Sequence, residues 1–251
     1  MVTIFHELIY QPLYNVLIFI YDIVPGGDFG VAIIIVTILL KSILIPLSKK
    51  QIQSQKRMQE IQPRLKEIQD KHKNDKERQT KEVMTFYKEN KVNPFSGCLP
   101  IIVQLVFLIA IYRVIINISN AGLIIDGKDL YSFIKNPGEI NKTFLGVVDL
   151  LKPSIPIAIL AAAAQFWQTK LMMAKNKKKE GLIKKEKSGD ASKEPNFSEI
   201  MNKQMLILSP ALTLFIGIKF AAALPIYWLV STLFSVFQQI YIFKKEDEII
   251  K

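Results

Sequence analysis

Long apolar runs separated by lysine-rich blocks constrain this chain more than any other feature. Between Phe29 and Leu47 nearly every residue is apolar, yet Lys41 lies inside the run. A stretch of about 20 such residues is long enough to cross ~30 Å of hydrocarbon. A cation inside it costs a few kcal/mol or more in lipid, on the order of what marks a functional position. No Lys or Arg precedes Lys41, whereas Lys49, Lys50, Lys56 and Arg57 follow it closely. This asymmetry predicts a helix that enters from outside and leaves into the cytoplasm.

The formal charge is +11, with 50% hydrophobic residues. A soluble chain this basic would suggest a nucleic-acid partner. Here the cations cluster between apolar runs, the pattern of a multi-pass membrane protein, and no specific DNA binding is expected. One cysteine, Cys98, excludes an intrachain disulfide framework, and two separated histidines, His6 and His72, argue against a metal site. Cys98 follows Ser96-Gly97, which resembles a lipobox, but its internal position fits a small helix residue better. The first apolar stretch lacks a basic leader and a clear cleavage box, so no ordinary signal peptide is expected.

The expected architecture is all-α and polytopic: five transmembrane helices, an N-terminal interfacial amphipathic helix and a cytoplasmic helical hairpin. Thr3, Glu7, Gln11, Asn15 and Asp22 recur on one face, which predicts that 1–27 is an interfacial helix outside the membrane. A true span is the alternative, opposed by Pro12 and the acidic residues. Spans are expected over 28–48, 97–117, 153–173, 204–221 and 223–243. Between them lie a cytoplasmic helical hairpin (49–93), an extracytoplasmic loop (118–152) and a basic cytoplasmic loop (174–203), followed by a cytoplasmic tail (244–251). Only the loops assigned to the cytoplasm are strongly basic, and all five spans agree on an outside N-terminus and a cytoplasmic C-terminus.

Polar groups inside the spans gather toward the cytoplasmic half. Lys41 lies eight positions before Lys49, about 12 Å at a helical rise of ~1.5 Å per residue. Gln104, Gln165, Gln168, Gln238 and Gln239 sit at comparable depth. A polar cavity open to cytoplasm and lipid fits this layout. Snorkelling of Lys41 and interhelical bonding by the glutamines are the simpler readings. Tyr227 and Trp228 read as aromatic-belt residues, and Arg113 and Lys219 as interface anchors. The charges of 49–93 are either a solvated face or a surface for anionic lipid or the ribosome. No HExxH, GxSxG, P-loop or paired intramembrane carboxylate is present, so neither an enzyme nor a cofactor is expected. A small channel or transporter usually carries an intramembrane acid or an internal repeat, and neither is visible. A structural subunit of a translocase, with Lys41 only snorkelling, is a third possibility.

Several local motifs resemble the YidC/Oxa/Alb3 family of membrane protein insertases. They are Gln11-Pro12-Leu13, Thr37 with Lys41 before Ile45-Pro46-Leu47, Gln62-Pro63, and Tyr87-Lys88 before Asn93-Pro94. Gly97-Cys98-Leu99-Pro100 then precedes Gln104, and Leu224-Pro225-Ile226-Tyr227-Trp228 precedes Gln238-Gln239. The resemblance implies a bacterial plasma-membrane protein with a hydrophilic groove lined by Lys41, Thr37, Gln104, Gln168 and Trp228. It implies nascent membrane proteins as clients, and anionic lipids, the ribosome and the Sec translocon as further partners. The groove cation is commonly Arg in the family and is Lys here, which keeps the charge without the guanidinium fork. The chain matches a short form without the large extracytoplasmic domain, and its brief tail offers little for ribosome docking.

Overall fold

The computed structural model describes residues 2–93, 99–184 and 197–249. Pro94, Gly97 and Cys98 of the family-like motif, and residues 185–196 of the basic loop, lie outside the described residues. The helices are α1 (Val2–Phe5), a π-helical turn (His6–Tyr10), α2 (Gln11–Ile23), α3 (Phe29–Ile43), α4 (Ile45–Lys71), α5 (Lys76–Glu89) and α6 (Leu99–Asn120). A two-stranded hairpin follows, β1 (Thr143–Phe144) paired antiparallel with β2 (Val148–Asp149), then α7 (Ile155–Lys184), α8 (Phe197–Lys219) and α9 (Ala223–Ile249). The chain is therefore mostly helical.

Two stretches, Ile102–Asn120 and Ala223–Ile242, are each long and apolar enough to cross a membrane; α3 with the start of α4 would make a third. The 28–48 run is interrupted at Leu44, where φ is −84° and ψ is 2°, and Pro46 sits in the first turn of the helix that restarts. Proline lacks an N–H and is best accommodated in that first turn, so the break falls just before it, although α4 and α8 also carry Pro63 and Pro210 internally.

Two compact units are distinguishable. The first holds α1–α3, most of α6, the 121–152 segment, α7 to Met173, α8 and α9. Its core is built from α2, α3, α6 and the N-terminal ends of α7 and α9, with Leu17, Ile18, Ile33, Val36 and Val114 almost wholly enclosed. The second holds α4, α5 and the first turn of α6. There Asp75 caps α5 by accepting from the Arg78 N–H at 3.0 Å, the expected role of an N-cap carboxylate. His72 Nε2 meets Glu82 at 2.8 Å and Gln79 donates to the Gln69 carbonyl at 2.6 Å, so α4 and α5 fold back on one another.

The 121–152 segment is a folded cap, held by polar residues of α2. Asn15 is 1% exposed. Its amide N–H2 donates to the carbonyls of Gln11 (2.8 Å) and Asp129 (2.7 Å), and its oxygen accepts from the Tyr131 N–H (2.6 Å). Gln11 donates to the same Asp129 carbonyl, and Tyr14 to that of Asp126. The Tyr21 hydroxyl accepts from the Asn141 N–H, and Asn117 donates to Tyr10. Burial pushes the phenols of Tyr10 and Tyr14 above their usual range, so both keep their protons. The face of α2 that reads as water-facing by periodicity is, at Gln11 and Asn15, turned toward this cap. Thr3, Glu7 and Asp22 of that face are exposed, beside the exposed apolar residues Ile4, Leu8, Val16, Phe19 and Ile23 of α1, the π-helical turn and α2.

The cap closes onto other helix ends as well. Asp28 accepts from the Leu145 N–H at 2.6 Å, and Gly30 packs under the Phe144 ring so tightly that a Cβ would overlap it. The carbonyls of Lys152 and Leu150 accept from Ala222 and Ala223 at the turn between α8 and α9. Replacing Asn15 by leucine leaves the Tyr131 N–H without its acceptor and the Asp129 carbonyl with Gln11 alone. It should cost on the order of 3 kcal/mol, read as earlier thermal unfolding of the purified chain in detergent.

Candidate functional site

The lysine that stands out in the apolar run is held in the seam between α3 and α9, which pack along one another. Its Nζ donates to Ser235 Oγ at 3.2 Å, and Ser235 donates in turn to the Ser231 carbonyl at 2.9 Å. Ser231, Ser235 and Gln239 recur every four residues of α9, so they share one face. Ser231 and Gln239 are both buried. The side-chain oxygen of Gln239 has no hydrogen-bond partner among the described residues. One turn before Lys41, Thr37 is fully enclosed and its hydroxyl donates to the Ile33 carbonyl at 2.6 Å. A helical Thr satisfied this way puts no demand on its neighbours.

A second polar group lies on the adjacent face of α9. Gln165 of α7 accepts from the Trp228 indole N–H at 3.2 Å and from the Thr232 hydroxyl at 3.4 Å. Its amide donates to Ser209 of α8 at 3.0 Å. One glutamine thus ties three helices together. Such bonds are the usual adhesive of helices in lipid, where apolar packing alone gives little preference for one neighbour. The same helices approach closely at Gly217, where an added Cβ would stand 2.7 Å from that of Ala158.

The expected site residues distribute as follows. Lys41 and Thr37 share α3, and Trp228 is on α9, bonded to Gln165. Gln168, one turn later on α7, is half-buried and takes no part in that network. Gln104, half-buried on α6, belongs to the second unit. Tyr227 is buried in the core at 2% exposure, so the aromatic-belt reading is wrong for it. Arg113 places its guanidinium 5.1 Å over the Phe5 ring, a cation–π contact to the N-terminal helix. Ser231, Ser235 and Thr232 escaped the sequence reading. Their four-residue spacing with Trp228 and Gln239 was the available signal. No cluster of metal-ligating side chains occurs among the described residues.

A multi-helix protein with apolar outer faces and a charged group in an interhelical seam fits a membrane-embedded class, and the comparisons with known proteins make it specific. The family model described as 60Kd inner membrane protein matches residues 19–248. The chain is 37% identical over 224 residues to the membrane protein insertase YidC of Clostridium tetani, covering 89% of this chain and 86% of that protein. It is 33% identical over 220 residues to the same-named protein of Fusobacterium nucleatum, covering 87% and 88% respectively. Against that of Pelobacter propionicus the identity is 31% over 240 residues, covering 94% of this chain but only 39% of the longer relative. The chain belongs to the YidC/Oxa/Alb3 family of bacterial inner-membrane proteins.

Gln165→Leu should remove three hydrogen bonds and leave the Trp228 N–H unpartnered. In a Trp167→Phe background, which leaves Trp228 as the one indole, its emission should move to shorter wavelength. Stability should fall by about 1–3 kcal/mol, the usual cost of stranding a buried polar group. An unchanged spectrum would show that the indole bond is not made.

Proposed function

We propose that the chain is a membrane protein insertase, and that the seam beside Lys41 receives polar segments of client proteins. The observation that carries this reading is a lysine on an apolar helix whose Nζ meets a serine hydroxyl on α9. The matched relatives are named membrane protein insertases. The reading needs no covalent chemistry. A client helix with a short polar tail resists hydrocarbon because its charges and backbone dipoles lose water. A cation and nearby hydroxyls part-way into the membrane lower that cost for acidic and polar groups. The client's own apolar surface then drives it into lipid. A single wet cation suits release, since a dry ion pair would hold its client too strongly or fail to repay desolvation.

In the full proposal five spans (28–48, 97–117, 153–173, 204–221 and 223–243) surround a groove open to cytoplasm and lipid, in a bacterial plasma membrane. The N-terminus is outside and the C-terminus cytoplasmic. Residues 1–27 form the interfacial helix; the exposed stripe Ile4, Leu8, Val16, Phe19 and Ile23 supports contact with lipid. Residues 118–152 lie outside, while 49–93, 174–203 and 244–251 lie in the cytoplasm. Thr37, Gln104, Gln168 and Trp228 line the groove with Lys41. Gln165 and Ser235 join that set, because they contact Trp228 and Lys41 respectively. Clients are nascent membrane proteins. Anionic lipids, the ribosome and the Sec translocon are the further partners, met by the basic 49–93 and 174–203 segments through salt-sensitive attraction.

Complementation of an insertase-depleted bacterium tests the role of the charge. Lys41→Arg should support growth, and Lys41→Glu should fail at equal protein level. Lys41→Ala should insert clients with acidic tails poorly. Normal insertion by Lys41→Glu would overturn the charge-based reading.

A further inference from the structure

The β1–β2 hairpin ends in an apolar tip that its own fold does not use. Leu145 is 68% exposed and Val147 86% exposed. The turn is closed by the Val147 N–H donating to the Phe144 carbonyl at 3.1 Å, with Leu145 at φ +51° and Gly146 at φ +71°. Turns with positive φ at both central residues favour Asn-Gly, because a branched apolar side chain resists that conformation and gains nothing in water. Leucine at the first position therefore calls for something outside the fold to contact its side chain. The turn is also fastened in place. Asp28, which caps the start of α3 through the Val31 N–H, holds the Leu145 N–H with its other oxygen.

Four contacts set the level of the hairpin. Asp28 and Gly30 lie at the start of α3, and the Lys152 and Leu150 carbonyls meet the turn between α8 and α9. On the orientation given under Proposed function, both are outer helix ends, and this inference rests on that reading. Phe19 and Ile23, exposed on α2 just before the Pro25-Gly26-Gly27 turn, carry an apolar stripe toward the same corner. Lys142 is exposed at the base of the hairpin. Lys152 is also exposed, 3.6 Å from Asp149. An apolar tip with lysines at its base is the distribution of an interfacial segment, with side chains in the acyl region and ammonium groups among phosphates.

We propose that the Leu145-Gly146-Val147 tip inserts into the outer leaflet and anchors the cap to the lipid surface, with Lys142 and Lys152 at headgroup level. The occupant is the bilayer rather than a protein, because the tip is a narrow wedge without a groove and its exposed flanking charges are the lysines Lys142 and Lys152, while the carboxylates of Asp28 and Asp149 are part-buried and engaged with the Leu145 N–H and with Lys152.

The test uses the full chain with Cys98→Ser, reconstituted into vesicles of phosphatidylcholine and phosphatidylglycerol. An environment-sensitive fluorophore is placed at Val147→Cys and, in parallel, at Leu145→Cys. Leu212→Cys on the apolar face of α8 is the lipid-facing reference, and Lys81→Cys on α5 the aqueous one. The label at 145 or 147 should emit at shorter wavelength than the one at Lys81→Cys, and lipids spin-labelled near the carbonyl end of the acyl chain should quench it. Lipids labelled near the chain terminus should quench Leu212 better, and Lys81 should respond to neither. Solvent-like, unquenched emission at both 145 and 147 with Leu212 quenched would overturn the wedge and leave the membrane reading intact. Loss of quenching at Leu212 as well would overturn both.

Discussion

An ammonium group on an apolar helix must find polar company, and the choice of that company organises the inner part of the first unit. Lys41 stands on α3 among Ile, Leu and Val, with Thr37 and Ser42 as its polar neighbours. It turns to α9, where Ser235 presents a hydroxyl. The face of α9 that meets Lys41 carries the four-residue ladder of Ser231, Ser235 and Gln239. The adjacent face of α9 then presents Trp228 and Thr232, which Gln165 gathers from α7. Beyond the ammonium of Lys41, each link is a hydrogen bond between modest dipoles, worth about 1 kcal/mol or a little less in such settings. Weak links of this kind hold a bundle together while allowing its seams to be borrowed.

The part of the unit beside the 121–152 segment has the opposite character. Asn15 is closed over by three strong hydrogen bonds, and the Asp28 carboxylate serves a helix N-terminus and the hairpin at once. Buried backbone groups of an irregular segment need partners, and the polar side chains of α2 supply them. The cap thereby ties the starts of α3 and α7 and the α8–α9 turn into one assembly. The unit thus combines a densely bonded cap with a sparsely bonded α3–α9 seam.

Much of this was legible in the sequence, for specific reasons. Apolar runs of span length are long-range signals that survive any detail of packing, and Lys41 stands out because charge in such a run is costly. Pro46 marked the end of the first run within two residues of the break at Leu44. Gln165 and Gln168 were indistinguishable, since both lie late in one helix. Their difference comes from helix rotation, which puts Gln165 against Trp228 and leaves Gln168 out of that contact. The cap was hidden because a loop has no period to read. Asn15 and Gln11 looked like a wet face, since nothing local says that a segment more than 100 residues away supplies their partners. Small hydroxyl residues such as Ser235 disappear among apolar neighbours unless their spacing is compared with a cation on another helix.

The most direct measurement is site-specific photocrosslinking to an arrested nascent chain bearing a short acidic outer tail. The photoreactive residue replaces Ser235 on α9, with Leu212 on the apolar face of α8 as the comparison. Strong adducts from position 235, with weaker ones from 212, are the predicted result while the tail is in transit. Adducts from 212 and none from 235 would contradict the claim that the seam beside Lys41 receives the client.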